Sequence, residues 1–207
     1  MRNESIKNNG LPFKTLILIP FRFAIEMVNR GWICRNVIIW YKPNVMPSSA
    51  KDRFTVDWEY LFFFTKSGKY WFEQQFEPSV VDYDNRVKTA ANKSKYFENK
   101  WDKKSLAQKP LSYFTENRNK RCVWRITTKP YKEAHFATYP EALCEIPIKA
   151  GCPKDGIVLD MFFGAGTTGL VALKQNKKFI GIELNPKYIE IANKRLKPFS
   201  EQTKLGD

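Results

Sequence analysis

The sequence is poor in the residues that build metal centres and disulfide frameworks. Its 207 residues include one histidine, His135, and four cysteines, none of them in C-x-x-C spacing. We therefore expect no zinc site, and a reducing, cytoplasmic setting is the default for such a chain. No apolar run reaches membrane-spanning length, and the polar start MRNESIKNNG has no signal-peptide core, so we expect no membrane association.

Acidic residues are scarce relative to basic ones. Lys and Arg together number 35 against 21 for Asp and Glu, which gives a formal net charge of +14 at pH 7. Such a charge favours a polyanionic partner, and nucleic acid before a membrane surface. Hydrophobic residues make up 43% of the chain, which indicates a globular protein, and a length of 207 residues suits one large domain or one domain with an insert.

What the sequence does contain is a nucleotide-binding pattern near its C-terminal end. The apolar run IVLDMFF is followed, in G-x-G-x-x-G spacing, by Gly164, Gly166 and Gly169. The helical stretch TGLVALKQ comes next, and a second apolar run, FIGI, leads to Glu183. Glycines let a ligand approach the backbone, the helix start offers free N–H groups, and the acid can accept both ribose hydroxyls. The alternative is a glycine-rich turn that binds nothing, and it leaves the register of the acid unexplained.

Elsewhere the patterns alternate between helix and strand. FRFAIEMVN after Pro20 predicts a helix that ends at Gly31. EALCEIPIKAG predicts a second helix that begins after Pro140 and ends at Gly151. A hairpin around Ser67-Gly68 is also predicted. The predicted strands are, in order, 33–41, 58–64, 69–72, 157–163 and 179–183. This alternation predicts the α/β class.

Between residues 77 and 129 the character changes to a polar stretch. Thirteen Lys or Arg residues stand there against six Asp or Glu, mixed with Tyr, Phe and Trp. Bases interleaved with aromatic rings suit phosphate contact and base stacking. A solvated surface insert with a few anchoring aromatics explains the composition equally well. The candidates for DNA contact in this segment are Lys88, Lys93, Lys103, Lys104 and Arg121.

Four blocks of the sequence, in order, resemble the β-class amino methyltransferases of DNA. They are GWICRNVIIWYKPNVMP, DRFTVDWEYLFFFTKS, KPYKEAHFATYPEAL and LDMFFGAGTTGLVALKQNKKFIGIELNP, and they fall between about residues 11 and 196. The resemblance implies methyl transfer from S-adenosylmethionine to adenine N6 or cytosine N4 of DNA, as in restriction-modification systems. It also implies a Rossmann-like, permuted methyltransferase sheet with a basic target-recognition insert. The implied divisions are a catalytic-half remnant, a target-recognition insert and a cofactor-binding half, at 1–73, 74–130 and 131–207.

The resemblance also implies which residues hold the cofactor. The family's loop, Asp-Pro-Phe-x-Gly-Ser-Gly-Thr-Thr, matches this sequence at Asp160, Phe162, Gly164, Gly166, Thr167 and Thr168. Met161 replaces the proline and Ala165 the serine, and both changes are mild. The ribose-binding acid corresponds to Glu183, which Asn185 follows as in the family. The segment around His135, Phe136, Ala137, Thr138 and Pro140 resembles the motif that walls the methionine end of the cofactor. For His135 alone, a hydrogen-bonding role in a loop or helix start is favoured over proton transfer.

The resemblance is incomplete on the catalytic side. The family's signature is Asp, Asn or Ser followed by Pro-Pro and an aromatic, which holds and stacks on the flipped base. The sequence has no Pro-Pro pair, so no catalytic residue is assigned. We therefore expect a truncated or split chain with an unfilled place in its sheet, inactive alone and completed by an N-terminal companion polypeptide. Lys42, Asn44 and Arg53 lie in blocks that border the target base, although they suit strand ends equally well.

Two other functions remain open at this point. An NAD-dependent oxidoreductase shares the glycine pattern and the later acid, but no further strands follow to build a second nucleotide half. A non-catalytic DNA-binding remnant would keep the basic segment without turnover.

Overall fold

The structure, a computed structural model, describes residues 14–78, 117–129 and 139–202. The described chain divides into two compact units. The first takes in residues 14–70 and Cys122–Arg125, and the second takes in 71–78, 117–121, 126–129 and 139–202. The predicted division into a catalytic-half remnant, a target-recognition insert and a cofactor-binding half concerns function, and it stays a prediction.

The described residues form four helices and seven strands. In chain order they are α1 (Ile19–Asn29), β1 (Ile33–Tyr41), β2 (Trp58–Thr65), β3 (Phe76–Pro78), β4 (Asn117–Asn119), β5 (Val123–Arg125), α2 (Glu141–Gly151), β6 (Ile157–Asp160), α3 (Thr167–Lys174), β7 (Lys178–Gly181) and α4 (Pro186–Gln202). The predicted α/β class is confirmed.

In the first unit, β1 lies between antiparallel β2 and parallel β5. Pro20 stands in the first turn of α1, where its missing N–H costs nothing, and Gly31 ends the helix with φ +86°. Aromatic side chains join α1 to β2: the ring of Phe21 meets that of Tyr60 edge-on, with centroids 5.0 Å apart. The helix buries no residue fully, so its apolar surface is only partly covered.

The predicted hairpin is wrong in its second strand. Strands 33–41 and 58–64 are confirmed within one residue, but residues 69–72 form no strand. The Ser67 hydroxyl donates to the Lys69 carbonyl at 2.6 Å, which bends the chain. From Trp71 onward the chain belongs to the second unit, where the Glu73 N–H donates to the Ala150 carbonyl at 2.9 Å.

The second unit is built on parallel strands β6 and β7. Val158 and Phe179 pack against a core formed by α2, α3 and α4, with Val171 and Ala172 at most 1% exposed. The opposite face of the two strands carries Ile157, Leu159 and Ile180, which are 52–60% exposed. One face of this small sheet therefore packs against the helices, and the other face is apolar and exposed to solvent.

The ends of β6 and β7 differ from their predicted bounds. β6 ends at Asp160 rather than residue 163, because the Asp160 carboxylate accepts the Phe162 N–H at 2.9 Å and turns the chain. The predicted strand 179–183 is observed as Lys178–Gly181. The Ile182 N–H still donates to the Asp160 carbonyl at 2.8 Å, so the two strand ends stay side by side.

Three short strands within or beside the basic segment are not predicted by the sequence. β3 and β4 pair antiparallel, and β5 pairs with residues Ile39–Tyr41 of β1. The sequence predicts an unfilled place in the sheet, and the strand at 33–41 would border it. That prediction is wrong for the three residues of this strand that pair with β5. Among the described residues, β6 has a partner on one edge only.

The described residues contain neither a membrane-spanning helix nor a cluster of metal ligands. Within them, no helix is long and apolar enough to cross a membrane. No group of three or more His, Cys, Asp or Glu residues there is arranged to hold a metal ion.

Candidate cofactor site

The glycine turn between β6 and α3 takes a backbone path that favours glycine. Gly164 and Gly166 have φ values of +51° and +77°. A Cβ built on Gly164 would approach nothing closer than the Phe162 carbonyl at 4.0 Å, so this glycine faces open space. A Cβ on Gly166 would lie 3.1 Å from the Ala192 side chain. Gly164 is thus the position where a ligand can come close to the backbone.

Two further glycines of the unit, Gly169 and Gly181, make room for one aromatic ring. A Cβ on Gly181 would lie 2.4 Å from Phe163, and one on Gly169 would lie 2.6 Å from it. The Phe163 ring is stacked on Phe179, with centroids 5.4 Å apart and planes 9° apart. The last glycine of the G-x-G-x-x-G pattern therefore serves helix–strand packing.

Asp160 is held by three donors at the end of β6. The Thr168 hydroxyl donates to its Oδ2 at 2.6 Å, and the Tyr139 hydroxyl lies 3.0 Å from the same oxygen and 2.7 Å from Thr168. The Phe162 N–H donates to Oδ1. Burial, with a contribution from nearby Asp160, raises the pKa of Tyr139 well above its ordinary value, so the phenol remains a donor.

Tyr139 is a site residue that sequence reasoning missed. It stands between Thr138 and Pro140 of the predicted wall segment, and this position is the signal that would have found it. Its hydroxyl connects the residues before α2 to both β6 and α3.

Glu183, just beyond β7, is hydrogen-bonded to the backbone of the glycine turn. Its Oε1 accepts the Asn185 N–H and its Oε2 the Gly164 N–H, both at 2.8 Å. These backbone hydrogen bonds lower the pKa of the Glu183 carboxyl below its usual range. Asn185 in turn accepts the Lys187 N–H at 3.0 Å, which begins α4. The acid is ionised at neutral pH and fixed against the open glycine.

The two threonines at the start of α3 point to different partners. Thr168 donates to Asp160, as described above, whereas the buried Thr167 accepts a hydrogen bond from Arg195 at 3.0 Å. Arg195 also binds Glu141 of α2 at 3.2 Å. The Thr167 hydroxyl thus links α3 to α4. The backbone N–H of Thr167 lies at the helix start, where it can donate to a ligand.

Apolar side chains border the turn without being buried. Phe162 is 85% exposed and Leu184 is 94% exposed. They flank Gly164 and Glu183 in the sequence and offer surfaces against which a flat ring can pack.

The candidate DNA-contact residues lie in several places. Lys42, at the end of β1, forms an ion pair with Glu59 and lies 4.5 Å from the Trp40 ring centroid. Asn44 and Arg53 are exposed in the connection between β1 and β2. In the second unit, Arg121 binds Glu77 at 2.6 Å. The predictions that lie outside the described residues are those for Lys88, Lys93, Lys103, Lys104, His135, Phe136, Ala137 and Thr138.

An open groove of about 570 Å³ lies elsewhere in the second unit. Its lining includes Glu73, Lys149 and Lys177, and it shares no residue with the glycine turn. It is distinct from the candidate cofactor site.

A parallel strand pair, a glycine turn at a helix start and an acid after the second strand define the α/β class that binds nucleotide-containing cofactors. Residues 3–194 match the N6/N4 family described as DNA methylase. The chain belongs to this family. The match does not favour the alternative of an NAD-dependent oxidoreductase.

Individual relatives are consistent with this family assignment. Over 187 residues the chain is 38% identical to the type II methyltransferase M.XycI of Xanthomonas campestris pv. cyanopsidis and 39% identical to M.Cfr9I of Citrobacter freundii. Each alignment covers 90% of this chain and 52% of the relative. The chain thus spans about half the length of these curated relatives.

The fold is shared with solved structures. The crystal structure of the M1.HpyAVI-SAM complex superposes with a TM-score of 0.58 at 24% identity, covering 88% of this chain and 71% of that one. The predicted methyltransferase fold is thereby confirmed, whereas its permuted order and incompleteness stay predictions.

Proposed function

We propose that this chain binds S-adenosylmethionine at the glycine turn and takes part in methyl transfer to an amino group of DNA, adenine N6 or cytosine N4. The observation that carries the proposal is the convergence of open Gly164, ionised Glu183 and hydrogen-bonded Asp160 at the ends of two parallel strands. Ligands of open α/β sheets bind at this end of the strands.

The residues present fit S-adenosylmethionine. A carboxylate has about four acceptor sites, so Glu183 can accept ribose hydroxyls beyond the backbone bonds it already makes. Phe162 and Leu184 offer apolar surface to the adenine. The cofactor supplies a methyl group on a positively charged sulfur. The negative charges of Asp160 and Glu183 would favour a cation at this turn, and the N–H groups at the start of α3 would suit the carboxylate of the cofactor.

DNA is the proposed substrate. The net charge of +14 and the basic segment suit a polyanion, and the two named relatives are type II methyltransferases. The basic segment, including Lys88, Lys93, Lys103 and Lys104, is proposed to contact phosphates.

The catalytic signature is proposed to come from polypeptide outside these 207 residues. The sequence has no Pro-Pro pair, and among the described residues β6 offers one strand edge without a partner. A companion segment, whether upstream in a longer protein or in a separate chain, would add the strand that carries the signature.

The test measures binding and turnover separately. Calorimetry with S-adenosylmethionine, and with NAD as the control ligand, establishes the cofactor. Radiolabelled methyl transfer to DNA is then measured with the chain alone and with a companion fragment that carries the signature. Mass spectrometry of the digested DNA distinguishes N6-methyladenine from N4-methylcytosine.

We expect S-adenosylmethionine binding by the chain alone and turnover only with the companion. Binding of NAD in place of S-adenosylmethionine would overturn the cofactor assignment. Turnover by the chain alone would show that its catalytic residues lie within it. Cofactor and DNA binding without turnover in any combination would favour the non-catalytic DNA-binding remnant.

A further inference from the structure

We infer that the exposed face of the two-stranded ribbon β3–β4 contacts base edges in the major groove of duplex DNA. The inference rests on the proposed function, since it takes DNA as the substrate, and it assigns part of the sequence discrimination to two amide side chains, Gln74 and Asn119.

The ribbon has two unlike faces. In its register Phe76 pairs with Asn119, and Pro78 pairs with Asn117. All four residues are exposed. The pair between them, Glu77 and Arg118, is half-buried on the other face. Alternation along both strands therefore separates an aromatic and amide face from a charged one.

The charged face fixes the ribbon. The Arg118 and Arg121 guanidinium groups donate to the same Glu77 oxygen at 2.9 and 2.6 Å. The Lys120 N–H extends the pairing by donating to the Gln75 carbonyl at 2.9 Å. A ribbon held in this way presents its open face with little freedom to rearrange, which lowers the entropic cost of binding.

The open face carries a matched donor and acceptor. The Gln74 Nε2 donates to the Asn119 Oδ1 at 2.6 Å, which leaves the Gln74 carbonyl as an acceptor and the Asn119 amide nitrogen as a donor. Exchanging oxygen and nitrogen in both amides keeps the bond and again leaves one donor and one acceptor. The pair therefore presents the same complementary chemistry in either orientation.

That chemistry matches particular base edges. In the major groove adenine shows a donor beside an acceptor, and so does a G·C pair across its O6 and N4 positions, whereas guanine alone shows two acceptors. A two-stranded ribbon fits the width of this groove, about 12 Å. Phe76, 57% exposed, adds apolar surface for a thymine methyl group. In the sequence the two strands flank residues 79–116, where eight Lys or Arg stand against five Asp or Glu, and such a balance favours a phosphate backbone.

The experiment compares base preferences. The full 207-residue chain is incubated with a duplex pool of randomised sequence, and bound DNA is enriched and sequenced for wild type, Gln74→Ala, Asn119→Ala and the double variant. Gln75→Ala is the matched control, since this neighbouring amide binds the Glu73 carbonyl instead. S-adenosylmethionine binding of each variant is measured alongside as a check on folding and on the proposed function.

We expect the Gln74 and Asn119 variants to lose preference at one or two adjacent base pairs while the remaining preference and cofactor binding persist. Affinity for the best wild-type duplex should fall about tenfold, the effect of losing one bidentate contact. The double variant should lose no more than either single one. Unchanged preference in the double variant, or equal loss in Gln75→Ala, would overturn the inference with cofactor binding intact. A chain that binds no duplex would overturn it as well, and failure of cofactor binding by wild type would count against the proposed function separately.

Discussion

Phe163 shows how a single ring determines which residues can surround it. Its side chain is buried between the glycine turn, α3 and β7, and Gly169 and Gly181 leave the volume that it occupies. Interiors are packed densely enough that one added methyl group in such a place must displace something. Glycine is therefore required at 169 and 181 because a side chain there would overlap the Phe163 ring. At Gly164 glycine is favoured by the positive φ, and the missing side chain leaves room for a ligand.

Gly181→Ala should lower the free energy of unfolding by about 1–3 kcal/mol, because its Cβ would overlap the Phe163 ring. The control is Gly151→Ala at the end of α2, where an added Cβ meets nothing within 4 Å. That control should change stability by no more than about 1 kcal/mol, in the stabilising direction. Urea denaturation of both variants makes the measurement. Equal stability of the two would contradict the packing role of Gly181.

Glu183→Ala should weaken S-adenosylmethionine binding by at least about tenfold, since it removes a charged acceptor. Glu190→Ala, an exposed acid on α4, is the control. Because the pKa of Glu183 is lowered, its carboxylate stays ionised across ordinary pH. Wild-type affinity should therefore remain flat from about pH 8 to pH 5 and fall only below the usual carboxyl range. Undiminished affinity of Glu183→Ala in calorimetry would remove the ribose assignment.

At the scale of elements, hydrogen bonds around Asp160 join three pieces of chain. Tyr139 precedes α2, Asp160 ends β6 and Thr168 lies in the first turn of α3, and their side chains meet within 3.0 Å. A network of this kind is worth more than its separate bonds, because removing one member leaves the others without partners in a partly buried place.

Tyr139→Phe should cost about 1 kcal/mol in stability, and Thr168→Val should cost at least as much. Because the two hydroxyls bind each other as well as Asp160, the double variant should be less destabilised than the sum of the single ones. Thr168→Ser, which keeps the hydroxyl, is the control and should stay close to wild type. A double-mutant cycle by thermal or urea unfolding gives the coupling, and strictly additive effects would argue against a shared network.

At the scale of the whole molecule, each unit exposes apolar side chains. In the first unit Ile19 and Ile25 of α1 are 62% and 61% exposed, and in the second unit Ile157, Leu159 and Ile180 form an open sheet face. Contiguous exposed apolar surface marks either a site of association or a tendency to aggregate.

The chain alone should therefore self-associate, which light scattering over a range of concentrations detects. Leu159→Lys should reduce the association without lowering stability, since Leu159 is on the open face. Val158→Lys is the contrasting variant and should unfold the second unit, because Val158 packs into its core. A monodisperse wild-type monomer at high concentration would show that these faces are tolerated in water.

The basic segment makes a further prediction for the whole molecule. If it contacts phosphates, log affinity for duplex DNA should fall linearly with log salt, with a slope of about −0.9 per neutralised phosphate. Replacing Lys103 and Lys104 by alanine should flatten this slope. An unchanged slope would indicate a solvated insert.

Sequence patterns predict the long strands well and the short ones poorly, and they leave the longest helix, α4, unpredicted. Six of the nine residues at 33–41 are β-branched or aromatic, so local propensity alone indicates this strand, although its first five residues are exposed. β3, β4 and β5 have three residues each and pair with segments far away in the chain. No local pattern encodes such a pairing, and the predicted strand 69–72 is wrong for the same reason.

The sequence by itself determined the glycine turn, the acids at 160 and 183, the basic balance and the family, because each of these depends on residue type and spacing alone. Only the tertiary structure decided that Gly169 and Gly181 make room for Phe163, that Thr167 and Thr168 face different partners, and that Tyr139 joins Asp160. It alone also brings Gln74 beside Asn119. These facts depend on which side chains, distant in the sequence, pack against each other or form hydrogen bonds. Packing and hydrogen bonding in three dimensions decide both.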